Sequence, residues 1–492
     1  MKHFLLAIIA FTAFTPFARA QAEVERFNRQ LEETRRRTMA LPENVPLEQK
    51  ALFDYGAFAS FNYFSIDDPR GRSHGLRQFD LFPYARLNFD GANEIYLRGR
   101  WGYLDWNSGQ SLTGRGDEPI DGDIDRGFYR FDYRNFESVF HDRDIGFDLT
   151  AKAGRDLAYW ANGLVLSQVL DGIFLGTRTD FVDAELIAGV TPTRTVDIDS
   201  SRPAFDYNTR RGFYGAQLGK QLGRHRPFLY GLVQQDYNED DTSIIPAPSG
   251  ANIVTNYEYN SYYIGTGVTG SITDRLLYGV EVVYQGGETL SNSFQQTDVP
   301  VGPGVAARQI VPIQQTTDDI NAWAFDARLD YLLNDSRQTR FTGEVIIASG
   351  DPDRLSSSTN TFGGNAPSTS DRAFNAFGLL NTGLSFAPQV SNVLIFRVGA
   401  VTFPTPDYSL LKRLQVGVDV FIYNKLNSDA PIDEETTDAS YLGWEPDLFI
   451  NWQITSDVTL NFRYGIFFPG SAIVDANDEW RQFISAGVTY AF

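Results

Sequence analysis

From Phe53 onward the chain repeats every two residues, in segments of roughly ten to fourteen residues with apolar side chains at one parity and mixed or polar ones at the other. Successive side chains of an extended strand point to opposite faces, so this pattern specifies a sheet with one oily and one wet face. Phe79, Leu81, Pro83, Ala85, Leu87 and Phe89 form one face of such a segment, and Gln78, Asp80, Phe82, Tyr84, Arg86 and Asn88 form the other. After a turn at Asp90-Gly91-Ala92, the next segment sends Ile95, Leu97, Trp101 and Tyr103 one way and Glu94, Tyr96, Arg98 and Arg100 the other.

The connections alternate in length. Short turns are predicted near Asp90, Ser138 to Asp144, Thr179-Asp180, Gly223 to His225, Gly270 to Asp274, Asn334 to Ser336 and Thr455 to Asp457. Long polar loops are predicted at Asn107 to Asp123, Thr191 to Asn208, Asn238 to Thr255, Gly286 to Asp319, Ser349 to Gln389 and Asn427 to Ser440. Short turns on the periplasmic side and long loops outside are the pattern of an outer-membrane barrel. About seventeen to nineteen segments read as strands, with Phe374 to Pro388 either a strand or loop, and the even number usual for bacterial barrels favours eighteen. The fold class expected is therefore all-β: a closed transmembrane antiparallel β-barrel. Its lumen is too wide for wall side chains to fill, so water or inward-folded loops must occupy it.

The first twenty residues read as a secretion signal, with Lys2 and His3 ahead of an apolar run from Phe4 to Phe14 and a small-residue site at Ala18-Arg19-Ala20 that predicts cleavage before Gln21. Nothing after it is an apolar stretch long enough for a membrane-spanning helix, and mean hydropathy is only -0.27, so a membrane span would have to be built from strands. The 38 Phe, 24 Tyr and 43 Gly suit aromatic girdles and tight turns. The absence of cysteine excludes disulfides and thiolate chemistry. A formal charge of -20 argues against nucleic acid as a partner. In surface loops such acidity can be bridged by divalent cations to lipopolysaccharide, or can simply keep the loops soluble.

Glu23 to Leu41 carries Val24, Phe27, Leu31, Thr34 and Thr38 at helical spacing amid dense charge, ending at Pro42. The expected division is a signal at 1–20, a short periplasmic helix and linker at 21–50, and the barrel at 51–492. The helix is read as solvated, with a pore plug or a docking arm for a periplasmic partner as the sharper alternative.

No enzyme, cofactor or metal site is read from the sequence. His74, His141 and His225 fall in a predicted loop and turns, far apart, so no Ser-His or Asp-His pair is supported. Asp121, Asp123 and Asp125 begin like a calcium loop, but Arg126 stands where the tight-turn glycine belongs. Both these and the acidic run Asp429 to Asp438 are read as solvated loop carboxylates. The informative chemistry is a recurrence of arginines on the wet face: Arg86, Arg98, Arg100, Arg130, Arg134, Arg328, Arg397 and Arg463, facing Asp80, Glu94, Asp132, Asp326, Asp330, Glu445 and Asp447. Cross-strand ion pairs that stiffen the wall are one reading. Rings of charge that select solutes are the other, since a guanidinium fork fits a carboxylate bidentately.

The chain ends Ser485-x-Gly487-x-x-Tyr490-x-Phe492, the polar, glycine and aromatic pattern of a terminal strand read by the barrel-assembly machinery. Several further strings resemble the alginate export family of outer-membrane porins. Ser391-Asn392-Val393-Leu394 is similar to the segment that opens a strand there, Pro446-Asp447-Leu448 stands where the family has Glu-Leu-Asp-Leu, and Phe462-Arg463-Tyr464-Gly465-Ile466-Phe467-Phe468-Pro469-Gly470 is similar to a strand and hairpin. Upstream, Arg130-Phe131 with Tyr133 and Gly154-Arg155-Asp156 resemble two further strand motifs.

The resemblance implies an eighteen-stranded monomeric barrel passing a linear polyuronate outward, with Arg130, Arg155 and Arg463 lining an electropositive constriction. Asn461 replaces an arginine of the family, and the tight turn at Ile454 to Val458 replaces a long periplasmic loop that folds into the pore. Gating from the periplasmic side would then fall to Glu23 to Leu41. The function expected is passive export of an anionic, alginate-like exopolysaccharide, with a general or selective porin for small-solute uptake, or a blocked adhesive barrel, as alternatives.

Overall fold

In the computed structural model, residues 51–112, 116–193, 201–202, 210–238, 241–246, 252–300 and 308–492 are described. The expected signal at 1–20 and the helix within 21–50 lie outside them. Eighteen strands close one antiparallel sheet. In chain order its first half is β1 (Ala51–Asp67), β2 (Ser73–Phe89), β3 (Asn93–Trp106), β4 (Glu118–Asp132), β5 (Asp148–Tyr159), β6 (Ser167–Arg178), β7 (Asp183–Val190), β8 (Arg211–Gly219) and β9 (His225–Asp236). The hairpin β10 (Thr242–Pro246) and β11 (Asn252–Asn256) stands apart in a long loop. The wall resumes with β12 (Tyr259–Thr273) and β13 (Leu276–Leu290). A second separate hairpin follows, β14 (Phe294–Pro300) with β15 (Arg308–Pro312). The wall is completed by β16 (Thr317–Leu332), β17 (Arg340–Ala348), β18 (Val393–Thr402), β19 (Leu414–Lys425), β20 (Tyr441–Gln453), β21 (Val458–Pro469) and β22 (Arg481–Ala491).

Closure runs along the seam between β1 and β22. It ends where Ala57 N–H donates to the Phe492 carbonyl at 2.7 Å and Phe492 N–H to the Ala57 carbonyl at 3.0 Å. A closed sheet leaves no unpaired edge, the condition for crossing a bilayer with strands. Phe61, Phe79, Leu97, Trp101, Tyr129, Ile173, Ile264, Trp323, Phe396 and Trp444 are exposed on the outer face. The opposite parity turns inward, as the alternation predicts. Tyr490 and Phe492 stack on the outside with ring centroids 5.4 Å apart, whereas Gly487 faces the lumen.

The turn at Asp90-Gly91 places both residues at positive φ, 50° and 70°, the left-handed pair that suits a tight hairpin and that glycine adopts without penalty. Of the two readings of Phe374 to Pro388 the loop is the one found, as part of the connection between β17 and β18. Three expectations are corrected. The expected turn at Ser138 to Asp144 belongs to a connection that opens with a helix, α1 (Tyr133–His141), capped where the Asp132 carboxylate accepts from Asn135 N–H at 2.9 Å and ended by left-handed Asp142. The loop expected to reach Asp123 gives way to β4 at Glu118, so Asp121, Asp123 and Asp125 are strand residues. His74 and His225 lie at the beginnings of β2 and β9.

Candidate functional site: the lumen

Two long-loop-side connections fold into the barrel. The larger, 349–392, is tied to the wall by polar clasps. Gln285 brackets Asn375, its Oε1 accepting from the backbone N–H at 2.9 Å and its Nε2 donating to the carbonyl at 2.8 Å. Tyr263 donates to the same carbonyl at 2.6 Å. Glu445 accepts the N–H groups of Leu384 and Ser385 at 2.6 Å each and of Phe386 at 2.8 Å. Phe386 then stacks on Phe467 with centroids 4.2 Å apart and planes 6° apart. Within the loop, Arg354 and Asp371 form a buried ion pair at 2.6 Å.

The second connection, 160–166, reaches across to β13 and β16: Asn162 donates its N–H to Glu281 at 3.1 Å and its side-chain amide to Asp326 at 3.0 Å. The two insertions meet where Leu379 N–H donates to the Gly163 carbonyl and Ser167 N–H to the Phe377 carbonyl, both at 2.8 Å. Gly378 lies so close to the Gly163 and Leu164 backbones that a Cβ would collide with them. Around this crossing Phe213, Tyr230, Tyr263, Phe374, Phe377 and Phe386 pack as a core inside the barrel. The sequence signal for this inward fold was a polar loop carrying four phenylalanines, Phe362, Phe374, Phe377 and Phe386, three of which the structure buries.

Arg86, Arg98, Arg100 and Arg130 project inward from β2, β3 and β4. Glu94 takes Arg86 at 2.8 Å and Arg130 at 2.5 Å, and Asp80 takes Arg100 at 2.9 Å. Arg98 pairs with Asp125, and both Arg98 and Arg100 lie over the Phe82 ring, 5.5 and 5.7 Å from its centroid. Two cations that the sequence reading missed join them. Arg126 lies 3.4 Å from Asp125 and 3.6 Å from Asp156, and Lys152 pairs with Asp156 above Phe174, 4.7 Å from its centroid. A register shift between β3 and β4 hid Arg126, because Arg98 opposes Arg126 while Gly99 opposes Ile124, leaving Asp125 as the extra residue of a bulge. Asp125 is thus largely covered and held in ion pairs, not a solvated carboxylate. The acidic run is corrected likewise: Glu434 pairs with Arg481 in a buried site, and Asp433 accepts from Ser357 Oγ at 2.8 Å and Ser358 Oγ at 3.0 Å.

Arg155 is a further correction. It stands opposite Gly127 on β4 and Asp171 on β6, at the parity of exposed Leu149, Tyr159 and Ile173, and so faces away from the lumen. Asp171 takes its guanidinium at 2.7 and 2.9 Å. Arg134 belongs to α1, paired with Asp148 at 2.9 Å.

On the facing arc, Arg397 is held between Glu344 at 2.8 Å and Asp419 at 3.0 Å, and Arg328 pairs with Asp330 at 2.9 Å. Arg463 differs. It donates only to the carbonyls of Phe462 at 3.1 Å and Ile450 at 3.4 Å and lies 5.3 Å from the Phe449 ring centroid. Among the described residues no carboxylate salt-bridges it. The lumen is therefore polarised: cations crowd β2 to β5, while Glu281, Asp326, Glu344, Asp419, Glu445 and Asp447 line β13 to β20. At the short-turn end, a cavity of about 1040 Å³ opens among Arg130, Arg134, Lys152, Arg178 and Arg226, with Asp132, Asp148, Asp183 and Glu185 between them. Charges of opposite sign facing each other across water orient a polar solute and favour one that carries charge.

Solved outer-membrane structures share this architecture. OpdK of Pseudomonas aeruginosa, solved with vanillate, aligns at a TM-score of 0.51 and 12% identity over 89% of this chain and 98% of its own. OccAB2 of Acinetobacter baumannii aligns at 0.50 and 13% identity, covering 89% and 98% respectively. At such identities the likeness is one of fold. No curated protein matches the sequence. The family model for alginate export matches residues 177–486, which includes Arg397 and Arg463 but none of the β2 to β5 cations. By that match and by its eighteen-stranded fold, this chain is an outer-membrane channel and belongs to the alginate export family.

Proposed function

We propose that the channel passes an anionic, alginate-like polysaccharide out of the cell by diffusion, driven by synthesis behind it and with no covalent step. The observation that carries this reading is Arg463, a lumen guanidinium held only by carbonyls and a ring, on β21, three strands round the wall from β2, where the run of β2 to β5 cations begins. A polyuronate carboxylate can take that guanidinium without first displacing a protein carboxylate, whereas at Arg397 it must compete with two. Arg86, Arg98, Arg100 and Arg130 supply attraction along the neighbouring arc of the wall, and the cavity at the periplasmic mouth receives the chain. Residues 1–20 act as the cleaved signal, residues 21–50 lie on the periplasmic side and meet an export partner, and Gly487, Tyr490 and Phe492 serve assembly. The outer face contacts lipid and lipopolysaccharide.

Uptake of a small solute is the second reading, favoured by the packed insertion of 349–392, which narrows the lumen. Planar-bilayer recordings of the reconstituted chain separate the two. An oligouronate should block the open channel at lower concentration than amino acids or monosaccharides. A channel modulated by those small solutes and indifferent to oligouronate rejects the export reading.

A further inference from the structure

Where β4 gives way to α1, an aromatic ladder leaves the sheet from its outer face. Phe131, the last outward residue of β4, has the parity of exposed Tyr129 and stands opposite Asn93 and Ala151 of the neighbouring strands. Its ring meets that of Phe136 on α1 at a centroid distance of 5.6 Å, and Phe136 meets Phe140 at 4.9 Å. Phe140 lies four residues beyond Phe136, on the same face of the helix, and is 53% exposed at the short-turn end of the barrel.

The other side of α1 is polar and tethered. Arg134 donates to Asp148 at 2.9 Å and to Asp144 at 3.2 Å, and the Asn135 amide donates to the Gly91 carbonyl at 3.0 Å. Arg134 and Asn135 also line the cavity of about 1040 Å³ at the channel mouth. Exposed Ser138, four residues after Arg134, falls on that same side. These tethers fix the rotation of the helix, so Phe136 and Phe140 face away from the mouth.

A single exposed aromatic residue needs no explanation, since much of any protein surface is apolar. Phe140, however, ends a continuous run that starts in the outward apolar band of the strands, the surface that meets the bilayer. The covering of its face is therefore the one that covers that band. Aromatic rings settle where headgroups meet hydrocarbon, and a helix with one apolar and one charged face lies in the plane of that boundary.

We propose that α1 is an interfacial anchor, its Phe136 and Phe140 face dipping into the phospholipid leaflet on the periplasmic side while Arg134 and Asn135 hold its polar face at the channel mouth. The partner is glycerophospholipid, met at the top of its acyl chains. Because both faces belong to one short helix, the level of the membrane surface sets the position of one side of the mouth cavity.

The chain contains no cysteine, so Phe140→Cys and Ser138→Cys each provide a single site for a nitroxide. With the full chain in vesicles of phosphatidylethanolamine and phosphatidylglycerol, the nitroxide of Phe140→Cys should collide with oxygen in preference to a water-soluble nickel chelate, at a depth of about 5–10 Å into the boundary of headgroups and acyl chains. The nitroxide of Ser138→Cys should show the reverse preference. Equal access of the nickel chelate to both sites would place Phe140 in water and overturn the anchor. Exclusion of both reagents from Phe140→Cys, or spin-spin broadening there that disappears on dilution with unlabelled chain, would put a protein partner or a second copy on this face and overturn it as well. The unsubstituted chain gives an independent reading if Phe140→Cys does not insert. Phosphatidylethanolamine carrying a diazirine on its upper acyl chain should attach to the tryptic peptide 135–143, and attachment to strand peptides alone would reject the proposal.

Discussion

Arg354 and Asp371, seventeen residues apart in the connection between β17 and β18, form an ion pair at 2.6 Å with both side chains almost wholly covered. The same guanidinium donates to the carbonyls of Ser357 and Asn360, each at 2.7 Å, so one arginine fixes three turns of the inserted loop. Removing one partner of a buried pair strands the other charge, at a cost of about 3–5 kcal/mol. Arg354→Met should therefore release the loop from the lumen while leaving the wall strands paired. Single-channel conductance should rise, and proteolysis from the long-loop side should cut within 349–392. Unchanged conductance and unchanged resistance to cleavage would show that the pair does not hold the insertion.

Glu445 holds the far end of the same loop. Three N–H groups converge on its carboxylate, and Tyr423 donates to it at 3.3 Å. Glu445→Gln keeps the shape but offers one acceptor oxygen and turns an N–H₂ toward donors. A loss of about 2–3 kcal/mol follows from the charged hydrogen bonds replaced. The Phe386 to Phe467 stack remains, so the loop tip should flicker rather than leave, visible as added open-channel noise without a large change in mean conductance.

The wall was more legible than its filling. Alternation assigns Phe79, Leu81 and Leu87 to one face because a strand's geometry is local, and Asp90-Gly91 marks a turn for the same reason. The position of Phe374 or Phe386 depends on Gln285, Glu445 and Phe467, far away in sequence, and no local pattern encodes that. Asp125 was misread because the loop was carried to Asp123, past the start of β4 at Glu118, and because the bulge at Asp125 interrupts the alternation that would mark it as wall. Arg155 was legible and was overridden: Leu149, Ala151, Ala153 and Leu157 share its parity and form the apolar face of β5, but the Gly-Arg-Asp string drew it into the lumen. Asn461, read as a missing charge, is an inward wall residue that stands between Asn451 and Gly487 of the neighbouring strands.

That correction separates two arginines that sequence resemblance grouped together. Arg463→Gln should weaken block by oligouronate by about tenfold and shift the reversal potential toward cations, since a charge-assisted contact of about 1.5–3 kcal/mol is lost. Arg155→Gln should leave both quantities unchanged, because its guanidinium belongs to Asp171 on the outer face. An equal shift from the two substitutions would contradict the outward placement of Arg155.

The turn between β1 and β2 carries a prediction in pH. Asp68 is largely covered, and burial alone would raise its pKa, but His74 and Arg72 side chains and the Arg72 and Arg70 backbone N–H groups bond its carboxylate and hold it well below the usual range. A carboxyl depressed in the folded state contributes stability at every pH above its unfolded value of about 4, and loses that contribution only as pH falls through the depressed folded value. The Arg70 and Arg72 N–H groups, which donate to Asp68 at 2.9 and 3.0 Å, should therefore lose no hydrogen-exchange protection from neutral pH down to about pH 5 and lose it only below about pH 4. In Asp68→Asn the same protons should be less protected at neutral pH, and the acid-dependent loss should vanish. Loss of protection in the parent chain between about pH 7 and pH 5 would mean that some group other than Asp68 holds this turn.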